Sequence, residues 1–146
     1  MGHITVRNAK TQKSFGDSII LANNFFLRLR GLILRPRLEE GQGLLLTPCK
    51  GVHMKMMKQP LDVLFIGNKG KVVAMYPDLQ PGGRTPMHGA ARVALEVPPG
   101  TIERTDTRLG DEIVWARVPK GGLESLPIRR RSPLPLPDPE LKETAQ

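Results

Sequence analysis

No run of about 18 apolar residues occurs anywhere in this 146-residue chain, so no segment reads as a membrane-spanning helix. Cysteine occurs once, at Cys49, which excludes an internal disulfide. Aromatic side chains make up only 4% of the sequence, and Phe15, Phe25, Phe26, Phe65 and Trp115 all lie in apolar neighbourhoods. A single-strand nucleic-acid binder instead interleaves basic residues with exposed stacking rings. The N-terminus, Met1-Gly2-His3-Ile4-Thr5-Val6, shows no basic region followed by an apolar one, so no secretory signal is read there. Gly2 invites a myristoylation reading, but Val6 stands where that signal needs Ser or Thr. These absences together predict a cytoplasmic protein.

What the chain does have is positive charge, +8 from 22 basic and 14 acidic residues. Such a surplus favours anions: nucleic acid, an anionic surface or an acidic partner. From Pro119 onward the composition changes. Pro119, Pro127, Pro133, Pro135, Pro137 and Pro139 punctuate a stretch without helical or strand periodicity, which predicts a disordered tail over 119–146. Prolines at every second position after Arg129-Arg130-Arg131 do not match the three-residue repeat of a polyproline II ligand. That tail holds five basic and four acidic residues, so the surplus charge belongs to residues 1–118, read as one domain.

Within that domain short alternating runs predict strands at 3–7, 17–21, 43–47, 52–57, 61–66, 71–76, 92–97 and 112–118. Asn23 or Asn24 can cap a helix carrying Phe26, Leu27, Leu29, Ile33 and Leu34, and Pro36 ends it. Gly67-Asn68-Lys69-Gly70 reads as a hairpin turn, Pro77–Ala91 as a long loop bordering a site, and Thr101 as the cap of one helical turn. The expected fold is mainly β, a compact jelly-roll-like sandwich or barrel with one short helix near the N-terminus.

Chemistry concentrates between Cys49 and Ile66, which hold the sole cysteine, one of three histidines and three of six methionines. As a strand, this stretch would bury Val52, Met54 and Met56 and turn Cys49, Gly51, His53, Lys55 and Met57 the other way. Thiolate, imidazole and thioether are soft metal ligands. Four residues of strand span roughly 13 Å, however, so Cys49 and His53 cannot share one ion, and no metal or cofactor is expected. Cys49 as a nucleophile would need His53 or His88 as a base, and nothing in the sequence brings either to it. Asp62 opens an apolar strand, where an unpartnered carboxylate is costly. It either accepts backbone amides, for instance from the Gln59–Leu61 turn, or pairs with a cation, or forms an acid–base couple with His53. Arg92 and Glu96 share one strand face, as a solvated ladder or as part of a groove with His53 and Asp62.

Four pieces of this pattern resemble the domain-of-unknown-function 192 family, the Saro-like superfamily. They are Arg30-Gly31-Leu32-Ile33-Leu34-Arg35, Gly43-Leu44-Leu45-Leu46, the spacing of Cys49, His53, Met57, Pro60 and Asp62, and Leu95-Glu96-Val97-Pro98 with Gly100 and Gly110-Asp111 after it. The likeness spans about residues 5–118. It implies a mainly β jelly-roll sandwich and no activity, since that family's biochemical role is unassigned. Ile33 stands where a Met is usual, and His53 where many members carry Trp. A Trp-to-His exchange suits a packing or ligand-stacking position better than a general base. Many relatives begin with an export signal, which is not read here.

The leading functional expectation is a non-enzymatic binding domain for a small or anionic ligand or a protein partner. Its binding residues would be His53, Lys55, Asp62, Arg92 and Glu96, with Lys58 and Arg84 adding charge. The alternatives are a hydrolase- or lyase-like enzyme using His53 and Asp62, and nucleic-acid binding through the basic surface.

Overall fold

The computed structural model describes residues 3–22, 37–54 and 57–118. The expected helix after Asn23 and the Pro-rich tail lie outside these residues, as do Lys55 and Met56. Seven strands are described: β1 His3–Asn8, β2 Ser14–Ala22, β3 Gln42–Leu46, β4 Leu61–Ile66, β5 Val72–Leu79, β6 Val93–Val97 and β7 Ile113–Arg117. A four-residue helical turn, α1 Thr101–Arg104, comes after β6. The strands form one sheet in the order β5-β4-β6-β3-β2-β1-β7, antiparallel except for β2 beside β3.

This sheet is strongly curled. Laid flat, its six inter-strand gaps would hold β5 and β7 about 29 Å apart. Instead the Val72 N–H donates to the Asp111 carbonyl at 2.9 Å, and the Gly110 N–H to the Val72 carbonyl at 2.9 Å. Lys71 and Glu112 make an antiparallel bridge at the same corner. Closure stops there: β5 and β7 do not pair along their lengths. The barrel expectation is therefore corrected, because the start of β5 meets only the turn that leads into β7, residues 110–112. The described strands also belong to one sheet, where a sandwich would show two.

Curling gives the sheet two unlike faces. The inner face encloses the main core, with Val6, Phe15, Ile19, Leu45, Leu64, Leu95 and Trp115 drawn from six strands and Ile102 from α1. The outer face of the β3–β6–β4–β5 half carries a second cluster, including Leu44, Leu46, Leu61, Val63, Phe65 and Ala94. β4 is buried throughout because both of its faces are covered. That is why it reads as a continuous apolar run interrupted only by Asp62. The turn between β4 and β5 is a short 3-10 segment, Asn68–Gly70; Gly70 takes positive φ (71°) as its lack of a Cβ allows, and Lys69 rather than Asn68 takes the other (60°).

Candidate functional site: a ribbon on the outer face

What covers the outer face is not a regular strand of the sheet. The expected 52–57 strand is corrected: among its described residues only His53 forms a bridge, and its partner is Arg84 in the loop after β5. The pairing continues on both sides of that bridge. The Met54 N–H donates to the Gly83 carbonyl at 2.7 Å, and the Gly82 N–H returns to the Met54 carbonyl at 2.9 Å. The Thr85 N–H donates to the Val52 carbonyl at 3.0 Å. The Val52 N–H finds the Thr85 hydroxyl at 3.1 Å, a side chain standing in for a carbonyl. The His88 N–H donates to the Lys50 carbonyl at 2.8 Å. Residues 50–54 and 82–88 thus form a two-stranded ribbon lying on the sheet. At Gly51 an added Cβ would sit 3.2 Å from the Pro86 carbonyl oxygen, a tight backbone contact, and 2.6 Å from the sulfur of exposed Met87, which can swing away.

Ribbon alternation sorts the side chains. Met54 and Thr85 are buried and Val52 packs on the outer cluster, whereas His53 and Arg84 are exposed. Cys49, expected opposite Met54, is buried in the same cluster, and its thiol lies 3.3 Å from the Gly51 carbonyl. The alternation expected for this stretch holds at Val52, His53 and Met54 and fails at Cys49, and its backbone bonds go to a loop rather than to β4.

Asp62 sits on the other side of the sheet. Its cross-strand neighbour is Val97, and its strand-mates Leu64 and Ile66 belong to the inner core. Only 1% exposed, it is fully employed. One oxygen accepts the Asp78 N–H at 2.8 Å and the other the Ile102 N–H at 2.8 Å. Asp62 therefore accepts backbone amides, though not those of the Gln59–Leu61 turn.

An acid–base couple must come within hydrogen-bond reach or one water. The structure does not bring His53 and Asp62 together, since the sheet and the thickness of the ribbon lie between them. Packed layers are separated by about 10 Å.

Glu96 is also 1% exposed but faces the outer cluster, opposite Leu44 on one side and Val63 on the other. Asp62 and Glu96 thus occupy opposite faces, and the expected groove joining them with His53 does not form. Half-buried Arg92 precedes β6, where its N–H donates to the Ile66 carbonyl at 2.8 Å and its carbonyl accepts the Cys49 N–H at 2.9 Å. Lys58 is exposed and its carbonyl receives Arg37 at 3.4 Å. Among the described residues, no three His, Cys, Asp or Glu side chains gather as a metal site would require.

Sequence reasoning missed one pair. The Tyr76 hydroxyl lies 2.7 Å from Nε2 of His88, joining β5 to the ribbon. Both rings pack on Phe65, His88 at a centroid distance of 4.9 Å and Tyr76 edge-on at 6.0 Å. Twelve residues separate the two, and the only available signal was that His88 lies in the long loop expected to border a site.

A second polar cluster closes the far corner of the sheet. The Asn8 amide donates to the Thr107 hydroxyl and the Asp111 carboxylate, both at 3.0 Å, while the Arg108 N–H reaches the same carboxylate oxygen at 2.9 Å. Burial on its own would raise the Asp111 pKa. Those two donors, with the charges of Lys10 and Arg108, outweigh it and hold the carboxyl below its ordinary value.

Comparison with known proteins settles the family. The model of the DUF192 family, described as "Uncharacterized ACR", matches residues 4–115. The chain belongs to that family. A UPF0127 protein from Thermococcus sibiricus is 30% identical over 112 residues, which cover 74% of this chain and 72% of the relative. A protein of unknown function from Novosphingobium aromaticivorans shares the fold, with TM-score 0.65 and 23% identity over 77% of this chain and 84% of its own. So does a Sinorhizobium meliloti protein whose assignment as a transcription regulator is provisional, with TM-score 0.62 and 22% identity over 77% of this chain and 91% of its own. At these identities the two structures speak for the fold alone. DUF192 membership brings the shared fold and no assigned activity. Among the described residues, no helix is long and apolar enough to cross a membrane.

Proposed function

We propose that this DUF192 chain is a non-enzymatic binding domain that takes a small anionic ligand on the solvent side of its ribbon. One observation carries the reading. The antiparallel bridge between His53 and Arg84 sets an imidazole and a guanidinium side by side, both exposed. A guanidinium presents a planar fork of donors that matches carboxylate and phosphate oxygens. Exposed His53 presents an imidazole that a ligand can stack on or hydrogen-bond to. The surplus of basic residues favours the approach of an anion from solution.

Isothermal titration calorimetry with pyrophosphate and with citrate tests this. The expected result is saturable binding that weakens with added salt, and an Arg84→Ala variant that binds at least about tenfold more weakly. Absence of saturable binding by either anion, or equal binding by the variant, would overturn the reading.

A further inference from the structure

We infer that Asp62 is a positioning residue for the ribbon, acting from the opposite face of the sheet through a bulge in β5; this rests on the ribbon being the binding surface. The register between β4 and β5 carries the argument. Leu61 pairs with Leu79 and Val63 with Tyr76, so two steps on β4 answer three on β5. The extra residue falls at Pro77-Asp78, directly across from Asp62. Asp78 takes a left-handed backbone, φ 57°, which a residue with a Cβ adopts only at a cost. Its N–H is the one that Asp62 accepts.

A bulge bends its strand and re-aims the chain beyond it. Beyond this bulge the chain enters the ribbon. Gly82 and Gly83, four and five residues past Asp78, make the first two bonds to Met54. The carboxylate that holds the Asp78 amide therefore fixes the direction in which residues 82–88 leave β5. The second oxygen anchors the carboxylate itself. It accepts the Ile102 N–H at the first turn of α1, whose N-cap Gly100 offers no side-chain bond. A carboxylate suits this place because it supplies two acceptors. An asparagine supplies one acceptor and would aim its NH₂ at a backbone N–H.

Hydrogen exchange on the whole chain tests the coupling without reference to any ligand. In Asp62→Asn the ribbon amides of Met54, Gly82, Thr85 and His88 are expected to exchange on the order of tenfold faster or more. The β1 and β2 amides of Val6 and Ile19 should change much less. Adding Asp78→Gly, which removes the cost of the left-handed backbone, should restore part of the ribbon protection. Equal loss at ribbon and at β1–β2 would make Asp62 a general stabiliser and overturn the inference, as would no loss at all. Should Asp62→Asn fail to fold, Asp78→Ala against Asp78→Gly decides. Faster ribbon exchange in the alanine variant supports the coupling, and equal exchange refutes it. Pyrophosphate calorimetry on the same variants separates the two ideas. Altered ribbon exchange with no anion binding even in the unmodified chain sinks the binding proposal and leaves the positioning role standing.

Discussion

The two faces of the curled sheet are built from different materials. The inner face is an apolar packing in which the buried carboxylate of Asp62 gives both oxygens to backbone amides. The outer face mixes Cys49, Met54, buried Glu96 and the Tyr76–His88 pair, and is covered by a ribbon held through loop backbone. A face whose carboxylate is turned to internal amides holds a fold together. A face covered by a ribbon with exposed His53 and Arg84 is where another molecule can be met. Both faces belong to β4, β6 and β5, so this division of labour is made residue by residue along the same strands.

Substitutions can break or sharpen that contrast. The largest effect is expected inside: Leu95→Ala removes a fully buried inner side chain and should cost about 4 kcal/mol in urea unfolding. A loss below about 1.5 kcal/mol would mean that the inner face is not the one that holds the fold. Next comes the corner cluster. Asp111→Asn should cost about 2 kcal/mol near neutral pH, where the carboxylate is charged. The sign of the pH dependence comes from its lowered pKa. The contribution is complete above the unfolded carboxylate value of about 4 and disappears as pH falls through the lower folded value. The stability gap between the chain and this variant should therefore narrow in acid, and a constant gap would contradict the assignment. On the outer face, Tyr76→Phe removes a single hydrogen bond and should cost about 1 kcal/mol, leaving the inner-face amides protected. Smallest of all, Arg84→Ala should change stability by less than about 0.5 kcal/mol while weakening anion binding. A large stability loss there would make Arg84 part of the scaffold.

Much of the fold was legible because strands write themselves as alternation or as short apolar runs. β4 was placed at Leu61–Ile66 as read, and the Gly67–Gly70 turn came from residues that tolerate positive φ. The ribbon was not legible. Val52–Met57 has the composition of a strand, but strand pairing depends on a partner. The partner proved to be a loop rich in Pro and Gly, which carries no strand signal of its own. Asp62 shows the same limit: burial demanded acceptor bonds, yet its donors lie 16 and 40 residues away. Which face Glu96 shares with its neighbours could be read from alternation. That the sheet would part it from Asp62 required the β4–β6 register.

The central claim is that contact is made on the ribbon and not at the inner face. Amide chemical-shift mapping during a pyrophosphate titration tests it most directly. The account predicts saturable shifts centred on His53 and Arg84, extending along residues 50–54 and 82–88, with Leu64, Leu95 and Ile19 unmoved. Shifts centred on Asp62, Ile102 and the inner strands, or none at any concentration, would contradict it.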